Sequence, residues 1–123
     1  MADPVRSHRD LIVWQKAMDV AQQVICEVQL MDKVWRFSLE SQIIRAAASV
    51  PAYIAEGFAR GSAKAYRRFL SIARGALVEL QTFLMLAQRS GVIPVDRCDA
   101  MLAPIEEVAR LLSRLRDRVR NPG

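Results

Sequence analysis

Apolar residues recur at spacings of three and four along most of the chain, a pattern typical of amphipathic helices. Four stretches show it, separated by turn residues near positions 31–37, 60–62 and 90–94. The first covers residues 11–30 and has apolar residues at Val13, Ala17, Val20, Val24 and Val28. The second begins at Ser38, a predicted N-cap. It contains Pro51, which donates no backbone hydrogen bond and therefore predicts a bend.

The third and fourth stretches have the seam of a left-handed helical bundle. The third is predicted to begin at Ser62 as its N-cap and to end just before Gly91. Its seam is Tyr66, Leu70, Ala73, Leu77, Leu80, Leu84 and Ala87. The fourth starts near Pro94 and repeats the pattern at Cys98, Met101, Ile105, Val108, Leu112, Leu115 and Val119.

Short links between long helices make consecutive helices antiparallel. The sequence therefore predicts an all-α fold, an antiparallel up-down-up-down four-helix bundle. We expect the bundle to cover residues 10–120, with an N-terminal tail at residues 1–9 and a C-terminal tail at residues 121–123. A chain of 123 residues is long enough for one such domain.

The third helix has more apolar surface than one core needs, above all within residues 76–87. Its excess apolar side is made of Val78, Thr82, Phe83, Met85 and Leu86. A helix that is apolar all round is buried all round. We therefore expect these residues to form the interface of a homo-oligomer. The alternative is that the fourth helix and the loops cover them.

Charge changes this picture because it is segregated along the chain. The chain has 18 basic and 13 acidic side chains, a net charge of +5, but residues 33–74 alone carry +6 and residues 110–123 carry +4. On the third helix the basic side chains form one solvent face, made of Lys64, Arg67, Arg68 and Arg74, with Arg60 just before the helix. Such a face can neutralise several phosphates of a nucleic acid. An acidic protein partner and a merely solvated surface are the alternatives.

The chemistry of an enzyme is missing from the sequence. The only histidine, His8, lies in the predicted tail, and Cys26 and Cys98 fall near apolar stripes, where we expect buried, reduced thiols without a metal. We predict no catalytic residue and no cofactor. Glu79 stands among apolar residues and is expected to pair with an arginine of its own or another subunit.

We also expect a cytoplasmic protein without a membrane span. The longest nearly uncharged apolar run, residues 76–87, is 12 residues long and contains Glu79. A helix needs about 20 such residues to cross a bilayer. Nothing in the first residues has the pattern of an export signal.

Three motifs carry a resemblance: DLIVWQKA at residues 10–17, IAEG at residues 54–57 and SAKAYRRFL at residues 62–70. With them the chain resembles the bacterial four-helix-bundle proteins encoded by intervening sequences of large-subunit ribosomal RNA genes. These are similar to the accessory variability determinants of diversity-generating retroelements. The resemblance implies a homopentamer of antiparallel bundles without catalytic activity. In the retroelement branch it further implies binding of nucleic acid, RNA or DNA, and of a reverse-transcriptase partner.

The resemblance also singles out residues of the basic face. Arg45, Arg60, Lys64 and Arg68 fall on basic positions of the family pattern, whereas Arg67 and Arg74 are additions of this sequence. Ile44 and Gly61 stand where basic residues are frequent in the family. The expected nucleic-acid-binding set is therefore Arg45, Arg60, Lys64, Arg67, Arg68 and Arg74.

Overall fold

Four α-helices make up the fold, as the hydrophobic pattern predicts. The computed structural model describes residues 4–31 and 39–119. The helices are α1 (Ile12–Val28), α2 (Ser41–Ala59), α3 (Ala63–Arg89) and α4 (Val95–Arg118), and a 3-10 turn (His8–Asp10) precedes α1. Within the described ranges there is no β-strand. The predicted all-α four-helix bundle is confirmed.

Contacts between side chains establish the antiparallel order of the helices. Between α1 and α4, the Nζ of Lys16 lies 3.0 Å from the Oε1 of Glu107. About two turns further along α1, Gln23 donates to the carbonyl oxygen of Ala100 at 3.2 Å. Residue numbers thus rise in α1 as they fall in α4. Helix α3 packs against both α2 and α4, and α1 also contacts α2 and α4, so the four helices form a closed ring around one core.

The core is built from the predicted seams. On α3 the fully buried positions are Leu70, Ala73, Leu77, Leu80, Leu84 and Ala87. On α4 they are Cys98, Met101, Ile105, Val108 and Leu112. Burying a leucine side chain contributes roughly 1.5–3 kcal/mol, so these rows supply much of the stability. The ends of the predicted seams, Tyr66, Leu115 and Val119, are only partly buried against the core.

The ends of α3 follow the predicted capping chemistry. The Ser62 hydroxyl oxygen accepts the backbone N–H of Ala65 at 3.1 Å, which satisfies one of the helix's free N-terminal donors. Gly61, just before the cap, and Gly91, just after the helix, have φ angles of +82° and +76°. Only glycine adopts such angles without strain. The predicted N-cap of the second helix, Ser38, lies outside the described residues.

Helix α2 continues through Pro51, which is buried in the core. Because proline has no backbone N–H, the helical hydrogen bond to the carbonyl four residues earlier, that of Ala47, is missing. Ala46 and Ala47 are buried as well, and their small side chains let neighbouring helices come close. A second proline, Pro104, lies inside α4, within the stretch that the periodicity predicts to be helical.

Helix α3 is also long and apolar enough, by length and composition alone, to cross a membrane. The uncharged run at residues 76–87 is too short by itself, but the hydropathy averaged over 18 residues of this helix is high enough. Of that apolar stretch of 18 residues, 33% is buried inside the bundle.

Cys26 differs from the expectation of burial, and Glu79 from the expectation of an arginine partner within its own subunit. Cys98 is buried and its thiol lies 3.6 Å from the Leu84 carbonyl oxygen, but Cys26 is exposed on α1. The first helix turns Cys26 away from the core because the buried row uses Val24 and Val28 instead. Glu79 is exposed too, so its carboxylate stays hydrated. It has no ion pair in the described part of the chain.

Gly57 of α2 is in close contact with α3. Gly57 is buried, and a Cβ built there would lie 2.6 Å from the Cβ of Phe69 and 3.4 Å from both the Tyr66 ring and the Tyr66 carbonyl oxygen. Real Cβ atoms do not come as close as 2.6 Å to another carbon. The glycine of the IAEG motif therefore sets the distance between α2 and α3.

We predict that Gly57→Ala destabilises the protein by about 1–3 kcal/mol, because the added methyl must push α2 away from α3. Urea denaturation measures the free energy of unfolding. Gly75→Ala is the matched control: Gly75 lies inside α3 with open space around it, so alanine is expected to stabilise by about 0.5–1 kcal/mol. Equal stability of Gly57→Ala and the wild type would contradict the proposed close contact.

Candidate nucleic-acid interface

Arg60, at the corner between α2 and α3, is held in place by two neighbours. Its Nη2 lies 2.7 Å from Oε1 of Glu56, one turn earlier in the chain. Its guanidinium carbon lies 4.9 Å from the centroid of the Phe69 ring, a cation–π contact. The Arg60 side chain is nevertheless 53% exposed. Its charge is therefore fixed in position while it remains open to solvent.

Beside Arg60 the surface forms a hollow with a volume of about 360 Å³. It is lined by Arg60, Ser62, Lys64, Ala65, Arg68 and Phe69. Lys64 and Arg68 are exposed and stand four residues apart, on the same side of α3. The hollow thus collects three of the predicted cations around the N-terminus of α3. We refer to it as the basic hollow.

Arg67 has a different role from its neighbours. Its Nη1 donates to the carbonyl oxygens of Arg116 at 2.7 Å and Val119 at 2.9 Å, across from α3 to the end of α4. The last carbonyls of a helix have no partner within the helix, and a cation placed there also suits the helix dipole. Arg67 therefore caps α4, and its donors are directed away from the solvent face to which the sequence assigned it.

Tyr66 of α3 contacts α2 and also lies near the end of α4. Its ring meets that of Phe58 edge-on, with centroids 5.9 Å apart. Its hydroxyl is buried with no hydrogen-bond partner among the described residues. Burial raises the pKa of Tyr66, and the nearby positive charge of Arg118 opposes that rise. The C-terminal arginines of α4 are therefore close to the first turns of α3.

The antiparallel order brings the start of the chain to this end as well. Asp10 closes the 3-10 turn by accepting the backbone N–H groups of Arg6 at 2.9 Å and Ser7 at 3.3 Å. Gln15 donates to the carbonyl oxygen of Arg9 at 2.8 Å, which holds the turn against α1. Residues of the DLIVWQKA motif thus position Arg6 and Arg9. The predicted tail is partly ordered structure.

Four helix ends therefore meet in one strongly positive surface, which we call the basic end. Its nine basic residues are Arg6, Arg9, Arg60, Lys64, Arg67, Arg68, Arg114, Arg116 and Arg118. Its three acidic residues are Asp10, Glu56 and Asp117. The net charge of the basic end is +6, more than the +5 of the whole chain.

The structure separates the six predicted nucleic-acid-binding residues. Arg60, Lys64 and Arg68 lie together in the basic hollow. Arg74 is exposed on α3, ten residues beyond Lys64, which is about 15 Å along the helix axis. Arg45 is exposed on α2, fifteen residues before Arg60, or about 22 Å away along the axis. Neither reaches the hollow.

Sequence reasoning underestimated two groups of basic residues at the basic end. Arg6 and Arg9 fall in the predicted N-terminal tail, and the arginines of α4 are not in the predicted nucleic-acid-binding set. The signal that could have found them is the topology itself. In an up-down-up-down bundle, the start of α1, the end of α2, the start of α3 and the end of α4 share one end.

The apolar side of α3 lies further along the same helix, away from the basic end. Val78, Met85 and Leu86 are 53%, 48% and 50% exposed. Thr82 is exposed between them, and its hydroxyl donates to the Val78 carbonyl oxygen at 2.9 Å. That hydroxyl is therefore already satisfied within the helix. Phe83 is partly buried against the core, so only part of its ring adds to this surface.

The described residues contain no group of three or more His, Cys, Asp or Glu side chains that could hold a metal ion. Burial raises the pKa of the Cys98 thiol, with the negative charge of Asp99 adding to the rise. His8 contacts Trp14 edge-on, with ring centroids 5.0 Å apart. Cys98 belongs to the core, and His8 packs against Trp14.

Comparison with known proteins agrees with this architecture. A family model described as 23S rRNA-intervening sequence protein matches residues 9–114. The crystal structure of a protein of unknown function from the S23 ribosomal protein family of Bacteroides thetaiotaomicron superposes with a TM-score of 0.79. That protein is 23% identical, and the similarity covers 85% of this chain and 97% of the other. At this identity the similarity shows the fold alone. Comparison with curated proteins gives no match.

We predict that Arg67→Gln loosens the end of α4, because two carbonyl oxygens lose a charged donor. Hydrogen bonds to charged groups contribute roughly 1.5–3 kcal/mol each, and partial exposure reduces this, so we expect a loss of about 1–2 kcal/mol. Hydrogen exchange of backbone amides in residues 113–119 measures the loosening. Arg68→Gln removes the adjacent exposed charge and should leave that exchange unchanged. Equal exchange in both variants would refute the capping role.

Proposed function

The chain belongs to the 23S rRNA-intervening sequence protein family, and we propose that it is a non-enzymatic, cytoplasmic, homo-oligomeric bundle that binds RNA or DNA through its basic end. The observation that carries the proposal is the meeting of nine basic side chains from four helix ends against three acidic ones. Concentrated positive charge of this kind binds the phosphate backbone and releases its counterions.

Two of the three carboxylates at the basic end are already bound within the protein, which supports the proposal further. Asp10 is used by the backbone of the 3-10 turn, and Glu56 is bound to Arg60. Lys64 and Arg68 stand at positions i and i+4 of one helix, where like charges repel each other. Phosphate groups of a nucleic acid would relieve this repulsion. Contacts of this type give affinity and salt dependence with little reading of sequence.

The oligomer is the second part of the proposal. The apolar side of α3, made of Val78, Thr82, Met85 and Leu86 with part of Phe83, is left uncovered by the loops and by α4. A second copy of the chain would bury it, and a basic partner residue could then pair with Glu79. Five subunits is the number that the family resemblance implies. In such a ring the basic ends would be repeated around the assembly.

A second candidate partner uses the same basic end. Arginine guanidinium groups bind carboxylates as well as phosphates, often through two hydrogen bonds. An acidic protein is therefore the alternative ligand. The resemblance to accessory variability determinants supports a reverse-transcriptase-like protein in that role.

We expect the triple variant Arg60→Gln, Lys64→Gln and Arg68→Gln to weaken RNA and DNA binding alike, whatever the sequence. Arg67 is kept, since its loss would disturb α4. Each phosphate contact contributes a slope of about −0.9 (duplex DNA) or −0.7 (single strands) in a plot of log binding constant against log salt. The slope should therefore become shallower by about 2–3. Fluorescence anisotropy at several salt concentrations measures it. Arg89→Gln, at the far end of α3, is the control, and an unchanged slope in the triple variant would reject the proposal.

We expect Val78→Asp combined with Met85→Asp to convert the oligomer into folded monomers, because two charges enter a desolvated interface. Light scattering at micromolar concentration measures the mass, and circular dichroism checks that the helices remain. Ile12→Asp alters an equally exposed apolar side chain outside this surface, 62% exposed, and should leave the mass unchanged. A monomeric wild type would end the oligomer proposal.

A further inference from the structure

The basic hollow differs from a second hollow at the basic end in its charge. It collects three cations, whereas the second, lined by Pro4, Arg6, Asp10 and Gln15, has one cation beside one carboxylate. Its volume of about 360 Å³ falls at the lower limit of small-ligand pockets, about 300–1,000 Å³. Its lining combines three cations with the apolar surfaces of Ala65 and Phe69. A flat basic surface can follow a strand of phosphates, whereas a concave one can enclose a single group.

The donors around the hollow exceed what the protein itself uses. Ser62 accepts from Ala65 through its hydroxyl and from Tyr66 through its carbonyl. The N–H groups of Ala63 and Lys64, also in the first turn of α3, have no acceptor among the described residues. Together with the side chains of Lys64 and Arg68 they provide several donors beside Arg60. One carboxylate, Glu56, offsets three positive charges there.

The charge of the fitting ligand follows from this imbalance. An internal phosphodiester carries one negative charge and continues through two ester links. A phosphate monoester carries roughly 1.5–2 negative charges at pH 7 and has three strong acceptor oxygens. Only the monoester places all three of those oxygens toward surrounding donors. The hollow therefore suits a phosphate at the end of a strand better than one in its middle.

We propose that the basic hollow, formed by Arg60, Lys64, Arg68 and the first turn of α3, binds the terminal phosphate monoester of a nucleic-acid strand. The rest of the basic end holds the phosphodiesters that follow. This rests on the proposed function and adds to it a preference for phosphorylated strand ends. Arg60, held by Glu56 and the Phe69 ring, is already placed before the ligand arrives.

The experiment compares two oligouridylate strands of equal length, one with a 5′-phosphate and one with a 5′-hydroxyl, each labelled at the 3′ end. Anisotropy titrations of the wild type should give a Kd about tenfold lower for the phosphorylated strand, the size of one or two charged hydrogen bonds. A 5′-hydroxyl strand two nucleotides longer controls for the added charge and should not gain that factor.

Variants locate the effect. Lys64→Gln with Arg68→Gln should abolish the preference for the 5′-phosphate and retain weaker, salt-dependent binding of both strands. Arg89→Gln should keep the preference. Equal Kd values for the two strands in the wild type, or a preference that survives in the double variant, would overturn the proposal.

The outcomes also separate this inference from the proposed function. Equal, salt-dependent binding of both strands leaves nucleic-acid binding in place and removes the end preference alone. Failure of both strands to bind removes the proposed function itself. Uridine 5′-monophosphate tests the remaining source of the same group: if it binds as tightly as the phosphorylated strand, the hollow is a mononucleotide site and not a strand-end site.

Discussion

The antiparallel order of four helices is the constraint on which the rest of the structure depends. Short links force each helix to return alongside the previous one, so segments distant in sequence become neighbours at one end. The start of the chain, the turn before α3 and the end of α4 meet there, each with its own arginines. Their mutual repulsion costs stability. The buried rows of leucine, alanine and methionine in the core offset that cost.

Helix α3 carries three different surfaces. Its buried row faces α2 and α4, its first turns carry the basic hollow, and its later turns leave an apolar side uncovered. The basic hollow and the apolar side lie at different positions along the axis of α3. A copy of the chain that covered the apolar side would therefore leave the basic end accessible. Self-association and binding of a polyanion are compatible on geometric grounds.

Much of the fold could be predicted from the sequence because it depends on local periodicity. The heptad of α3, the Ser62 cap and the turn at Gly91 each require only neighbouring residues and general propensities. The role of Arg67 could not be predicted in this way. On a helical wheel it lies near Lys64 and Arg74, but its donors reach the end of another helix. Which helix end lies next to Arg67 depends on how α3 and α4 are aligned in the folded bundle.

The candidate site, too, could be predicted where it depends on local spacing and not where it depends on the packing of helices. That Arg60, Lys64 and Arg68 share a face follows from their spacing. That they surround a hollow depends on Phe69, which supports Arg60, and on the close contact at Gly57 beneath it. The exposure of Cys26 was likewise not predicted, because Cys26 lies beside the buried row of Val24 and Val28 on α1. Arg45 and Arg74 share the charge of the set but stand well away from it along the helix axes, a separation that net charge does not reveal.

The contact at Gly57 limits how this corner can change during evolution. The atom that a new side chain would meet first is the Cβ of Phe69, which every amino acid except glycine possesses. Trimming the neighbouring side chain therefore cannot make room, and a compensating substitution elsewhere has to shift a whole helix. Such a shift would also move the ring beneath Arg60. The corner can thus exchange its surface charges one at a time, whereas its backbone spacing has to be inherited as a unit.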